Sequence, residues 1–130
     1  MIMPQRKTME AIAQPTEQAL DPVRVFRLLG EETRLRAALL MQQRGELCVC
    51  ELTEATGVSQ PKMSRHLGHL RDVGLVETRR SGQWVHYALR RDLPEWLHQT
   101  LATLAEERPF ADDLPRLRHA IARHRAHCEE

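Results

Sequence analysis

The sequence predicts a mainly α-helical chain with one β-hairpin, an α+β fold built as a single domain. Apolar residues recur at intervals of three and four along much of the chain, which is the spacing of one helix face. Only 4% of the 130 residues are aromatic, so we expect a core built mainly from Leu, Val and Ala. Two short runs around Ser81-Gly82 instead alternate with a period of two, which is typical of paired strands.

The chain begins with a polar segment and then becomes helical. Residues 1–18 contain two prolines and are expected to form a flexible N-terminal arm. At Asp21-Pro22 a capping side chain precedes a proline, which is a pattern that starts helices, and Gly30 ends this first helix. An apolar stripe predicts a second helix over residues 31–43.

Two further helices follow a short extended piece. Residues 47–49 are expected to be extended, and residues 50–56 to form a short helix that ends before Gly57. Ser59 then caps a longer helix, which tolerates Pro61 because that proline lies in the first turn. The buried stripe of this longer helix is predicted to contain Met63, Leu67 and Leu70.

The rest of the chain completes a recognisable arrangement. Residues 75–80 and 83–89 are predicted to pair as a hairpin, and two more helices follow it. The helices on either side of Gly57-Val58 have the proportions of a helix-turn-helix, and a hairpin directly after such a pair forms a wing. The predicted fold is therefore a winged helix-turn-helix. The last two helices have apolar stripes at Leu97, Leu101 and Leu104, and at Leu114, Leu117 and Ile121.

Positive charge is concentrated in one segment. Residues 59–91 contain seven Lys or Arg and two acidic residues, a net charge of +5, whereas the remaining residues carry −4. A compact basic segment in a near-neutral protein is expected when the partner is a polyanion. Charge alone is equally compatible with a solvated face. Together with the predicted helix-turn-helix and wing, it favours binding of double-stranded DNA.

The predicted helix after Ser59 has the two faces that major-groove binding requires. Such a helix needs an apolar face toward its own protein and hydrogen-bonding groups toward the bases. His66 faces either a phosphate or the protein interior. At the wing, Arg79 and Arg80 flank the turn and are expected to meet the DNA backbone or the minor groove. The candidate DNA-binding residues are Ser59, Gln60, Pro61, Lys62, Ser64, Arg65, His66, Arg79, Arg80 and Gln83.

Two cysteines, Cys48 and Cys50, lie directly before this segment, and the third cysteine is Cys128. The sequence shows no secretory segment and no apolar run long enough for a membrane span, so we expect a cytoplasmic protein whose thiols stay reduced. Three cysteines cannot all pair within one chain, and we interpret Cys48 and Cys50 as ligands or sensors. The alternative is a pair of small buried hydrophobic residues.

Three stretches within residues 22–94 together resemble one family: ELCVCEL, SQPKMSRHLGHLR and GLVETRRSGQWVHYAL. They resemble the ArsR (ArsR/SmtB) family of metal- and metalloid-responsive repressors, and more narrowly its arsenic-responsive members. The resemblance implies a homodimeric repressor that holds a near-palindromic operator until trivalent arsenic or antimony binds thiolates near the helix-turn-helix. Residues 19–130 would then form the DNA-binding and dimerisation domain.

The two thiols can bind the same metal or metalloid atom only in a particular backbone geometry. Trivalent arsenic is thiophilic and is expected to prefer thiolate ligands. Residues i and i+2 share one side of a strand but lie about 200° apart on a helix, so the backbone at Cys48 and Cys50 must not be regular helix throughout. A helix start near Cys50 also favours the thiolate. We hypothesise that ligand binding distorts this helix start and displaces the recognition helix.

The sequence leaves the third ligand of the arsenic atom open. The family pattern has a third cysteine three residues after the second, where this chain has Thr53. Cys128 is one candidate, in the same protomer or across the dimer, and hydroxide or a small thiol is another. Two thiolates alone suit a trivalent methylated arsenical, which has only two exchangeable positions. The inducer is therefore expected to be arsenite, antimonite or a trivalent methylarsenical.

Other functions have weaker support in the sequence. A repressor of the same fold that senses cadmium, lead or zinc is the nearest alternative, although the zinc-sensing pattern of relatives is broken at Leu114. A dithiol redox regulator would close a strained ring between Cys48 and Cys50. An interaction module without DNA binding is a third alternative. No phosphate-binding loop and no nucleophile with an adjacent base are visible, so neither an enzyme nor an organic cofactor is expected.

Overall fold

A computed structural model describes the backbone of residues 20–128 and the side chains of residues 20–125. The arm predicted for residues 1–18 lies outside this range and stays a prediction. The described chain consists of short helices with a small sheet in the middle. Their order is α1 (Pro22–Leu29), α2 (Glu32–Arg44), β1 (Leu47–Cys48), α3 (Val49–Thr56), α4 (Gln60–Asp72), β2 (Val76–Ser81), β3 (Trp84–Leu89), α5 (Glu95–Ala105), a 3-10 turn (Phe110–Asp112) and α6 (Asp113–Cys128).

The predicted helix ends are confirmed to within a residue or two. The Asp21 carboxylate caps α1 by accepting a hydrogen bond from the backbone N–H of Arg24 at 3.3 Å. Gly57 ends α3 with a φ of 78°, a left-handed conformation that L side chains rarely adopt. This tight turn leads within three residues into α4, so α3 and α4 form the predicted helix-turn-helix.

The predicted hairpin is confirmed, and an unpredicted strand joins it. Strands β2 and β3 pair antiparallel, from Val76 opposite Leu89 to Ser81 opposite Trp84. Strand β1 pairs with the other edge of β3 and places Cys48 opposite His86. A strand of two residues has no alternation that would predict its partner, so the sequence indicated only that it is extended. Because of this pairing, the cysteine segment is attached to the wing.

The hydrophobic core lies where α2 contacts α4, α5 and α6. The predicted inward stripe of α4 is confirmed, because Met63, Leu67 and Leu70 are each 0% exposed. Burial of one such side chain contributes about 1.5–3 kcal/mol, so this stripe fixes the orientation of α4. Among residues 20–128, none of the helices combines the length and the apolar character that a membrane crossing needs.

Helix α6 packs along α3 and is held there by charged side chains near both of its ends. Near its start, Arg116 Nε donates to the Ala55 carbonyl of α3 at 2.9 Å. The buried Asp113 carboxylate accepts from Arg116 Nη2 at 2.7 Å, and from Nε and Nη2 of Arg36 on α2, both at 2.8 Å. Near its end, Arg125 Nε donates to Glu51 Oε2 at 2.8 Å. The first helix of the helix-turn-helix is therefore fixed by α6 along its length.

Candidate nucleic-acid interface and thiol site

Nine of the ten candidate DNA-binding side chains are exposed, and they come from the start of α4 and from the wing. Helix α4 turns its apolar stripe inward, so its polar N-terminal half faces solvent. Arg and Gln in this half can make bidentate hydrogen bonds to guanine and adenine, respectively. The nine exposed residues are Ser59, Gln60, Pro61, Lys62, Ser64, Arg65, Arg79, Arg80 and Gln83.

His66 is the exception, and its place among the candidate DNA-binding residues is a correction. Its side chain is buried, at 7% exposure, and Arg34 Nη1 donates to its Nδ1 at 3.0 Å. Burial lowers the pKa of His66, so the ring is neutral and Nδ1 can accept this hydrogen bond. Of the two alternatives that the sequence left open, the structure therefore selects the protein interior, where His66 links α4 to the start of α2.

The two wing arginines differ in their surroundings. Arg79 binds the Glu46 carboxylate in a bidentate pair, with Nε–Oε2 and Nη2–Oε1 distances of 2.8 and 2.7 Å. The same hydrogen bonds lower the pKa of Glu46, which keeps this carboxylate ionised. Arg80 is exposed, and in the described part of the chain it has no ion-pair partner. The unbalanced positive charge of the wing therefore resides mainly on Arg80.

The two thiols lie at a change of secondary structure. Cys48 is the last residue of β1 and the N-cap of α3, with extended dihedrals of φ −90° and ψ 165°, whereas Cys50 lies inside the first turn of α3. The backbone is therefore not regular helix across the pair, as simultaneous binding requires. The two thiols lie close enough for Cys50 to contribute to the raised pKa of Cys48, and both residues line one cleft.

The surroundings of Cys48 favour the neutral thiol. Its residue is 3% exposed, and burial together with the hydrogen bond to Cys50 raises the pKa of the Cys48 thiol to about 12. At Cys48 removal from water outweighs any effect of the helix N-terminus. The expectation that the helix start near Cys50 favours the thiolate of Cys50 stays a prediction. A ligand that exchanges with a protonated thiol suits this position better than one that needs a preformed thiolate.

The buried Glu51 connects the thiol segment to α6. Its carboxylate accepts a hydrogen bond from Cys48 N at 3.0 Å, while the Cys48 sulfur accepts from Glu51 N, which makes a capping box with cysteine as the cap. Glu51 is 1% exposed, and Arg125 neutralises it with contacts at 2.8 and 3.3 Å. Arg125 Nη2 also donates to the Glu46 carbonyl at 2.8 Å. A change at the Cys48 sulfur therefore acts directly on the cap of α3.

A cleft of about 380 Å³ opens beside the thiols. Its walls come from three elements: the start of α3, the exposed side of α4 and the wing. The residues that line it include Cys48, Cys50, Gln60, Ser64, Gln83 and Trp84. Three of them (Gln60, Ser64 and Gln83) are candidate DNA-binding residues. The thiols and three candidate DNA-binding side chains thus line one cavity.

A third protein ligand beside the thiols is not found among the described side chains. Thr53 Oγ1 donates to the Cys50 carbonyl at 2.9 Å, so this hydroxyl satisfies the helix backbone. Across the side chains of residues 20–125, no group of three or more His, Cys, Asp or Glu is arranged to hold a metal ion. Cys128 is the last residue of α6, and its side chain lies outside the described range. Its role as a ligand stays a prediction.

The sequence interpretation missed Glu51, Arg125 and the arginines around Asp113. A signal for Glu51 was present, because a glutamate three residues after a helix cap is the capping-box spacing. Cysteine is not among the usual caps, so the pattern in residues 48–51 was not recognised. No local signal connects Arg125 with Glu51, since 74 positions separate them.

The exposed face of α4, the hairpin wing and the helix-turn-helix define a winged helix-turn-helix regulator. Residues 31–78 match the family described as "Bacterial regulatory protein, arsR family". The "Arsenic resistance transcriptional regulator ArsR2" of Pseudomonas putida is 49% identical over 106 residues, which cover 80% of this chain and 92% of that protein. This chain therefore belongs to the arsR family of bacterial regulatory proteins, whose members are transcriptional regulators and not enzymes.

Further similarities support the same family. The "Arsenical resistance operon repressor" of Escherichia coli is 51% identical over 75 residues, 58% of this chain and 64% of that protein. The crystal structure of the AntR antimony-specific transcriptional repressor superposes with a TM-score of 0.53 at 29% identity, covering 61% of this chain and 68% of that one. The homodimeric winged helix-turn-helix domain of Mb0332 from Mycobacterium bovis gives a TM-score of 0.56 at 27% identity, covering 84% and 93%.

Proposed function

We propose that this protein represses an arsenic-resistance operon and leaves its operator when a trivalent arsenical binds Cys48 and Cys50. The observation that carries the proposal is the cleft beside α3, which two thiols line together with the candidate DNA-binding side chains Gln60, Ser64 and Gln83. The relatives from Pseudomonas putida and Escherichia coli, both described as arsenic-resistance regulators, support the inducer class.

The chemistry of arsenicals suits two protonated thiols. A trivalent methylarsenical in water has two hydroxyl groups, and each is exchanged for a sulfur. One As–O bond breaks and one As–S bond forms at each step, and the thiol proton leaves with the hydroxide as water. The exchange needs no oxidant and releases no proton, so a thiol pKa of about 12 at Cys48 does not oppose it. A divalent cation would have to expel that proton.

Arsenite and antimonite have three exchangeable positions, and a third sulfur would strengthen their binding. Cys128 is our candidate for this position. Arg125, three residues earlier on α6, contacts Glu51 and the Glu46 carbonyl, which lie on either side of the Cys48 backbone. This contact supports a third ligand from the same protomer. Hydroxide or a small thiol would complete the site without Cys128.

Release of DNA follows from the position of Cys48. Its sulfur accepts the hydrogen bond from Glu51 N that caps α3, and a sulfur that must bind an arsenic atom shared with Cys50 has to move relative to Glu51 N. Loss of the cap loosens the start of α3, to which α4 is joined by a turn of three residues. The bound arsenical also occupies the cleft between α4 and the wing. Both effects move the DNA-binding side chains of α4 relative to those of the wing.

We further propose that the protein acts as a homodimer on a near-palindromic operator. Val23 and Phe26 on α1 are 61% and 53% exposed, and the Phe26 ring lies 5.7 Å from that of Trp96 on α5. An exposed apolar face of this kind is expected at a protein interface. The homodimeric state of the Mycobacterium bovis domain supports a twofold arrangement. Two recognition helices would then meet half-sites about 34 Å apart.

The test is operator binding followed by fluorescence anisotropy, with a duplex that the wild-type protein selects from random DNA. Wild type, Cys48→Ser, Cys50→Ser and Cys128→Ser are each titrated with methylarsenite and with arsenite. We expect all four proteins to bind the duplex. Methylarsenite should release wild type and Cys128→Ser but neither of the other variants. Arsenite should release Cys128→Ser only at higher concentration than wild type.

Each remaining outcome has a defined meaning. Cys128→Ser that responds to arsenite like wild type would exclude the tail from the site. Release of Cys48→Ser at wild-type concentrations would exclude the thiol mechanism. Release by cadmium but by neither arsenical would establish a divalent-metal sensor, and release by peroxide alone would establish a redox regulator. A wild-type protein that selects no DNA would refute repression itself.

A further inference from the structure

A second cleft, of about 440 Å³, shares no lining residue with the cleft beside the thiols. Three arginines line it together with two apolar residues: Arg24 and Arg27 from α1, Arg34 from α2, Leu28, and Val73 at the end of α4. None of these residues belongs to the thiol site, and none of the three arginines belongs to the basic segment of residues 59–91. Three positive charges around one cavity are unfavourable unless an anion offsets their repulsion.

Among the described residues, no carboxylate lines this cleft. Within residues 20–128, Arg24 and Arg27 are exposed and make no ion pair. Arg34 is held in place, because its Nε donates to the Leu28 carbonyl at 2.7 Å. Glu31 lies close by, but its carboxylate accepts from the backbone N–H of Arg34 at 3.0 Å and is 3.7 Å from His66 Nε2. The guanidinium groups of Arg24 and Arg27 therefore remain available to a ligand.

The same cleft is connected to the recognition helix. Arg34 Nη1 donates to His66 Nδ1 at 3.0 Å and to His69 Nδ1 at 3.3 Å, and both histidines lie on α4. In the described part of the chain, Arg34 Nη2 has no hydrogen-bond partner. A bound anion would thus be held by the side chain that orients the inner face of α4.

We propose that the cleft formed by Arg24, Arg27 and Arg34 binds a phosphate-type oxyanion. Guanidinium groups recognise such oxyanions by paired hydrogen bonds, and one phosphate fits easily in this volume. The oxyanion is either a backbone phosphate of the operator, beyond the bases that α4 contacts, or a dissolved oxyanion. The inference rests on the DNA binding proposed above but not on the thiol site, so failure of arsenical release leaves it intact.

The experiment compares Arg24→Gln/Arg27→Gln with the control Arg44→Gln/Arg118→Gln. The control removes the same charge from two exposed arginines that lie outside the cleft and make no ion pair among the described residues. Both variants are first shown to keep the wild-type thermal midpoint and mass in solution. Binding to the selected duplex and to a scrambled duplex is then measured over a series of salt concentrations.

If the operator supplies the phosphate, the slope of log K against log salt falls by about one in the test variant. Affinity for both duplexes then falls by the same factor, because a backbone contact carries no sequence information. A dissolved oxyanion is tested without DNA, through the thermal midpoint in inorganic phosphate against chloride of equal ionic strength. The site binds dissolved oxyanions if two results occur together. The slope is unchanged, and only the test variant loses the stabilisation that phosphate gives to the wild type.

The proposal is overturned if neither the slope nor the phosphate effect changes. It is also overturned if the control variant lowers the slope as much as the test variant, because the effect would then reflect net charge. If the wild type binds no DNA, the proposed function is refuted. This inference is then refuted as well, unless phosphate stabilises the wild type through these arginines.

Discussion

The pH dependence of ligand binding separates an arsenical from a divalent cation at the thiol site. Cys48 is almost completely buried, and the pKa of its thiol is raised from 9.0 to about 12. A cation that binds the thiolate must expel this proton. This rise weakens the binding of such a cation by about 4 kcal/mol near neutral pH, or about a thousandfold. An arsenical releases water instead, so the raised pKa does not weaken it.

The assay is direct titration of the reduced protein with cadmium and with methylarsenite between about pH 6 and pH 8.5, where Cys48 is protonated. For cadmium, log K should rise by at least about one per pH unit, because at least the Cys48 proton is released on binding. For methylarsenite the slope should be near zero. A cadmium affinity that is flat over this range, or an arsenical slope as steep as that of cadmium, would refute the reasoning.

Three further predictions concern stability, each measured by urea unfolding. Because the folded pKa of Cys48 lies above its usual value, the contribution of Cys48 to the free energy of unfolding should be constant below about pH 9 and fall above it, by up to about 4 kcal/mol at pH 12. The difference between wild type and Cys48→Ala over this pH range measures that contribution. Asp113→Ala leaves the Arg36 guanidinium without its carboxylate and should cost about 3–5 kcal/mol, whereas Asp112→Ala, which removes only an exposed ion pair, should cost less than about 1 kcal/mol. Leu67→Ala should cost about 2–5 kcal/mol, since its side chain is 0% exposed in the core. Equal effects of the two aspartate variants, or a Leu67→Ala effect below this range, would contradict the assigned packing.

The sequence by itself determined the elements and their order. A capped start at Asp21, stops at glycines such as Gly57, and the stripe from Met63 to Leu70 are local patterns, and each predicted a feature that the structure has. Local patterns succeed here because a helix is stabilised by contacts between residues three or four positions apart. The spacing of the cysteines and their place before the helix-turn-helix were visible in the same way.

Only the tertiary structure decided what surrounds each functional side chain. His66 is turned inward by Arg34, 32 positions away, and Glu51 is neutralised by Arg125, 74 positions away. The pairing of β1 with β3 buries Cys48, and this burial raises its pKa against the effect of the helix start. The arginine cleft likewise joins α1, α2 and the end of α4. Burial and charge pairing depend on segments that folding brings together from distant positions, and for this reason a local pattern in the sequence could not predict them.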